Sequence, residues 1–237
     1  MEPGILVFLL VAAAASFVVS ASAGLGGSLI LVPTLSIALG AKEGIALAAL
    51  LLAANNVPKL WVYRAHVPWR AAAWVIAVTI LGAYLGALAL VNAPEVAVQV
   101  GVVVAIGLSL VFERVGTRCV LTGSAAPIAF AAGATSGFSG TSGPLKGVAL
   151  RNLRLDRFHL VGAASAVSLA GDAAKTSVYA EASLLDTGSF VVAGVLVPVM
   201  IASTLAGRRI NRGLGERGYA VLFWGVMAGY TARLLGA

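Results

Sequence analysis

The chain has 237 residues, of which 60% are hydrophobic and only 11% charged, with a net charge of +7 and a mean hydropathy of +0.99. A water-soluble domain carries about 25% charged residues, so this composition cannot clothe a water-facing surface, and lipid is the solvent that suits it. The single cysteine, Cys119, excludes an internal disulfide.

The first apolar run, GILVFLLVAAAASFVVSASAG at 4–24, is long enough to cross about 30 Å of hydrocarbon as a helix. Its SASAG ending resembles a signal-peptide cleavage site. The chain nevertheless opens MEPG, with an acid where a signal peptide carries positive charge, so the run is expected to stay as a span. Further apolar segments follow at 28–39, 44–62, 71–91 and 95–112, then at 120–136, 144–150, 159–179, 188–207 and 218–235. They lack the alternation of a β-barrel, so helices are expected. The predicted fold class is an all-α integral membrane protein, a polytopic helix bundle.

The pattern of five recurs at a constant offset. Gly24 and Gly27 fall on Gly140 and Gly143, a shift of 116 residues, and the same shift carries KLWVY (59–63) onto KTSVY (175–179) and Asn56 onto Asp172. This predicts an internal duplication, 1–118 and 119–237, acting as one integrated unit. Segment 28–39 has 12 residues, about 18 Å of helix, too short to span. It and 144–150 read as the returning arms of re-entrant hairpins or broken helices.

Charge then orients the chain. Loops on one side carry Arg64, Arg70, Arg114, Arg118, Arg151, Arg154, Arg157, Arg208, Arg209, Arg212 and Arg217; the other side carries only Lys42 and Arg233 as bases, with Glu2, Glu43, Glu95, Glu181 and Asp186. The positive-inside rule puts the arginine side in the cytoplasm and both termini outside. The basic loops lack interleaved aromatics, so no nucleic-acid partner is expected. Five segments per half, one of them a return arm, start the second half from the opposite side. Halves of opposite topology, each with a Gly-interrupted helix, mark secondary transporters.

Irregular backbone at membrane depth is tolerated where it is buried in protein or lines a cavity. The stretches around Gly24, Gly26, Gly27 and Ser28, and around Ser139, Gly140, Thr141, Ser142, Gly143 and Pro144, are therefore the predicted substrate site. Helix arms starting at Ser28 and Pro144 would turn their positive ends inward. The hydroxyls of Ser28, Thr135, Ser136, Ser139, Thr141 and Ser142 suit the oxygens of a small oxyanion. The bland account is close helix packing by small residues, and for Gly82 and Gly86 packing is the expectation. GTSGPLK (140–146) lacks the residues of a P-loop, and GLGGS (24–28) lacks dinucleotide-site spacing.

Four charges remain inside the spans: Lys59, Lys146, Lys175 and Asp172. An ionisable group at membrane depth is a functional candidate by default. Lys146 either attracts an anion or snorkels to the nearby face. Asp172 and Lys175, three apart, suit an intramembrane pair, and Asp172 is a candidate for a coupling proton. Lys59 and Lys175 lie near span ends, where snorkelling is the simpler account of each. Asn55 and Asn56 are amides needing partners, with helix–helix hydrogen bonds the simpler account. His66 and His159 sit at span edges without metal-ligand spacing, and no metal or cofactor is expected. No nucleophile–base constellation points to an enzyme.

AGLGGSLILVPTL (23–35) and SGFSGTSGPLKGVAL (136–150) resemble the two Gly-rich signatures of the sulfite exporter TauE/SafE family, also called the toluene-sulfonate uptake permeases. ILGAYLGALAL (80–90) and the run 204–235 resemble that family's fourth-span motif and C-terminal end, so the likeness covers nearly the whole chain. Ser28 and Ser142 stand where relatives often carry glycine. The resemblance implies bacterial inner-membrane carriers of sulfite, sulfonates and related sulfur anions, driven by ion or proton gradients. The reading is thus an alternating-access carrier of a small sulfur oxyanion, able to be a homo-oligomer. An anion channel using the same site as a filter is the alternative.

Overall fold

A computed structural model describes residues 11, 13–14, 16–18, 27–115, 125–142, 145–151, 153, 155 and 157–213. Among them, eight α-helices follow a short helical stretch at 16–18: α1 Gly27–Leu39, α2 Ala41–Tyr63, α3 Trp69–Asn92, α4 Glu95–Val115, α5 Ala125–Ser139, α6 Leu145–Arg151, α7 Arg157–Glu181 and α8 Thr187–Gly213. One turn of 3-10 helix, Arg64–His66, ends α2. The described residues contain no strand, and the fold they form is all-helical. Among the described residues three helices are long and apolar enough to cross a membrane: Ala41–His66, Trp69–Asn92 and Thr187–Gly207. The last predicted span, 218–235, lies outside the described residues.

Helix α1 has 13 residues, about 20 Å of length, and turns back into α2 at Gly40, whose φ of +98° only glycine adopts readily. A Cβ on Gly44 would lie well inside 3.0 Å of the Ser36 backbone, so α1 and α2 approach at main-chain distance. The start of α2 is capped from another helix. Glu95, at the head of α4, accepts the Ala41 N–H at 2.6 Å, and Lys42 Nζ donates to the Val91 carbonyl at 2.9 Å. That carboxylate satisfies an orphan donor and sits against the positive end of α2.

The most extensive contact is α3 against α5. It rests on two Gly-x-x-x-Gly pairs that interlock. A Cβ on Gly82 or Gly86 would run into the carbonyls of Phe130 or Ala134, and one on Gly133 or Gly137 into those of Thr79 or Ala83. The expectation that Gly82 and Gly86 serve packing holds, and Gly133 and Gly137 are their partners. Helix α5 also runs regularly through Thr135, Ser136, Gly137 and Ser139, so the described break is confined to Gly140–Ser142.

Helix α7 sits at the centre, packed on α2, α3, α5 and α6. It runs antiparallel to α2: Gly162 lies against the carbonyl of His66, while Asp172 meets Asn56. On α7 one apolar cluster, shared with α3, α5 and α6, ends at Val167, and a second, shared with α1, α2 and α8, begins at Val178. The turns between them carry the charges.

Candidate functional site

Ser168, Asp172, Lys175 and Tyr179 follow one another at spacings of four, three and four, which aligns them on one face of α7. Asp172 Oδ1 pairs with Lys175 Nζ at 2.8 Å, and its Oδ2 accepts from Asn56 Nδ2 on α2 at 2.9 Å. Lys175 Nζ also donates to Ser136 Oγ at 3.0 Å, and Tyr179 Oη donates to the Gly137 carbonyl. The cluster therefore ties α7 to α2 on one side and to the last turns of α5 on the other.

Burial overturns the snorkelling account of two lysines. Lys59 is 1% exposed and Lys175 is 0% exposed. The four-carbon stem of a lysine reaches an interface only when a path lies open, and here the helices α2, α7 and α5 close it. Lys146 is half-buried and donates to Ser168 Oγ at 3.0 Å, one turn before Asp172. Lys59 is within electrostatic range of Lys146 and Asp172, and Lys146 of Asp172 and Lys175. Lys175 thus holds the carboxylate directly, and two further lysines feel it at longer range. Taking a charge from water into a protein interior costs several kcal/mol even after relaxation, which makes the close pairing of Lys175 with Asp172 the expected arrangement.

The two Gly-rich stretches meet where they are described. Ser28 Oγ, in the first turn of α1, lies 3.0 Å from Thr141 Oγ1 in the break after α5. Gly140 there has a φ of +76°, and a Cβ on it would strike Val32 of α1 and Ile45 of α2. Gly27 opens α1, and its carbonyl accepts from Ser16 Oγ at 2.7 Å. Ser139 Oγ donates to the carbonyls of Thr135 and Thr141, and Thr135 Oγ1 to that of Ala131, so these hydroxyl protons are engaged within the chain. Thr141 and Ser142 are buried. Gly24, Gly26, Gly143 and Pro144 lie outside the described residues.

The asparagines part company. Asn56 has its partner in Asp172, whereas both amide atoms of fully buried Asn55 make no hydrogen bond among the described residues. The His66 and His159 rings lie 5.8 Å apart, edge to face, and among the described residues no group of three potential ligands is placed to hold a metal.

Ser136, Ser168 and Tyr179 complete the cluster without having been singled out for it. A signal existed for two of them. Tyr179 stands in the repeated Lys-x-x-x-Tyr, and Ser168 lies one helical turn before Asp172 on the same face. The pairing of Ser136 with Lys175 joins residues 39 apart in sequence and has no local signature.

One family model, described as Sulfite exporter TauE/SafE, matches the chain over residues 8–234. The chain belongs to the TauE/SafE family. Neither the curated proteins nor the solved structures provide a match. Membership makes the chain a membrane protein of a transporter family. In TauE/SafE terms, the two stretches quoted for the resemblance are the ones that Ser28 and Thr141 bring together.

Proposed function

We propose that the chain is a secondary carrier that exports sulfite or a closely related sulfur oxyanion across the bacterial inner membrane by alternating access. The observation that carries this reading is the polar cluster at the α2–α7 crossing, with Lys175 paired to Asp172 and Lys59 and Lys146 within electrostatic range, beside the contact of the two Gly-rich stretches. Its surplus positive charge selects an anion. Its hydroxyls and the positive end of α1 favour oxygen ligands. Export is the direction in the family's description.

The duplication supports the alternation. Helices α2 and α7 begin at Ala41 and Arg157, 116 residues apart, and Asn56 and Asp172, also 116 apart, hydrogen-bond to each other. Equivalent helices running antiparallel and meeting at equivalent residues is the arrangement expected of inverted repeats joined near a pseudo-two-fold axis. Rocking of 1–118 against 119–237 about this crossing would expose the anion to each side in turn. The lopsided loop charge favours arginine loops in the cytoplasm and both termini in the periplasm. Asp172, with the Asn56 amide and the Lys175 ammonium on its carboxylate, is the group proposed to carry a coupling proton.

Counterflow in proteoliposomes tests the reading. Vesicles preloaded with unlabelled sulfite should take up radiolabelled sulfite saturably, with trans-stimulation, and should discriminate against chloride. Lys175→Met and Lys59→Met should each abolish it in folded protein. Conductance without trans-stimulation would instead make the protein a channel, and unaltered counterflow in both lysine variants would remove the cluster from the site.

A further inference from the structure

An apolar groove of about 850 Å³ opens between α2 and α8, away from the lysine cluster. Val57 and Trp61 form its wall on α2, and Val197 and Ile201 its wall on α8. A carrier of an anion of a few atoms has no use for such a space, whose walls are carbon. Two polar groups stand out against them. Arg64 lines the end of the groove with its guanidinium 4.0 Å from the centre of the Trp61 ring. Thr204, which also lines it, is fully buried, and its hydroxyl makes no hydrogen bond among the described residues. A threonine in a helix ordinarily donates to a carbonyl one turn back; this one does not, so its donor is left without a partner among the described residues.

The order along the groove matters. Val197 and Ile201 come first along α8 and Thr204 follows, while on α2 Val57 and Trp61 lead to Arg64. Carbon, then a hydroxyl donor, then a guanidinium is the sequence of an acyl chain, a glycerol ester and a phosphate. Trp61 and Trp69 are exposed at this end, as indoles are at a membrane–water interface. Guanidinium groups take phosphate oxygens two at a time. We infer that this groove is a binding site for an anionic phospholipid, one acyl chain lying between α2 and α8, the ester carbonyl accepting from Thr204 and the headgroup phosphate held by Arg64. The lipid would stand against the α2 wall that leads up to Lys59, where its presence stiffens one side of the crossing. The inference is independent of which anion is carried.

The test places a photoreactive benzoylphenylalanine at Val57, which is 55% exposed and tolerates a larger side chain. The full chain is reconstituted in vesicles of phosphatidylglycerol and phosphatidylethanolamine, illuminated, and its adducts are read by intact mass. Phosphatidylglycerol adducts should exceed that lipid's share of the bilayer. Arg64→Gln should cut their yield about fivefold, the effect of one basic residue at a membrane surface, and Arg64→Lys should retain most of it. Thr204→Val should lower the yield by a smaller factor. Adducts that follow bulk lipid composition and ignore Arg64→Gln would overturn the proposal. So would cross-links to residues 218–235 or to a second copy of the chain, which would make protein the occupant.

Discussion

Where α3 meets α5, glycines on each helix lie against carbonyls of the other; where α2 meets α7, an amide, a carboxylate and lysines do the joining. The first contact is made of main chain, has no rotamers, and loses everything if the helices part by the width of a methyl group. The second is made of side chains that can change partners. In lipid, where there is no hydrophobic drive to bring helices together, backbone approach of this kind supplies the cohesion. Polar crossings supply adaptable contacts and cost more to bury. A carrier that rocks as proposed would need both, and this chain keeps them on different pairs of helices.

The comparison breaks most visibly at the glycines. Gly86→Leu or Gly137→Leu should abolish the folded state, because the obstructing atoms are carbonyls that no rotamer change removes; yield of monodisperse protein after detergent extraction measures it, and near-normal yield would refute the main-chain account. Next comes the charge cluster. Asp172→Ala leaves Lys175 buried without its counter-ion and should cost about 3–5 kcal/mol, read as a lowered melting temperature. The double variant Asp172→Leu with Lys175→Met should regain much of that stability while remaining dead in counterflow, which separates folding from function. If the double variant transports, the pair is merely structural.

A smaller effect sharpens the picture of Lys146. Ser168→Ala removes its hydrogen-bond partner and should cost about 1 kcal/mol, while shifting the apparent affinity for the anion more than the maximal rate. The smallest effect lies outside the membrane. Asp186 caps α8, accepting from the Ser189 hydroxyl at 2.6 Å and from its N–H at 2.8 Å, and these bonds hold its carboxyl below the usual carboxylate range. A depressed carboxyl contributes stability that is complete above the unfolded value, about pH 4, and is lost as the pH falls through the lower folded value. Thermal melts between pH 7 and 3 should therefore show a small acid-side loss that Asp186→Ala removes; an unchanged profile would mean the cap does nothing for stability.

Much of the helical framework was legible. The ends of 44–62, 71–91 and 159–179 fall within three residues of α2, α3 and α7, because a run of apolar residues bounded by glycine, proline or charge has few other ways to satisfy its backbone in lipid. The break after α5 was placed too early. Thr135 to Ser139 carry residues that look like helix breakers, but Gly133 and Gly137 are there to admit α3, and their helix is held by that contact rather than by propensity. The lysines were legible as unusual and misjudged in depth, since distance from a span end says nothing about what other helices stand in the way.

Composition was enough to determine a helical membrane protein, because hydropathy and backbone satisfaction in lipid are local and leave their mark in every segment. Which polar residues meet was decided only by the tertiary structure. Asn56 with Asp172, Lys175 with Ser136 and Ser28 with Thr141 are separated by 116, 39 and 113 residues. Their proximity follows from how α2, α5 and α7 cross, and a crossing is set by side chains on two helices at once.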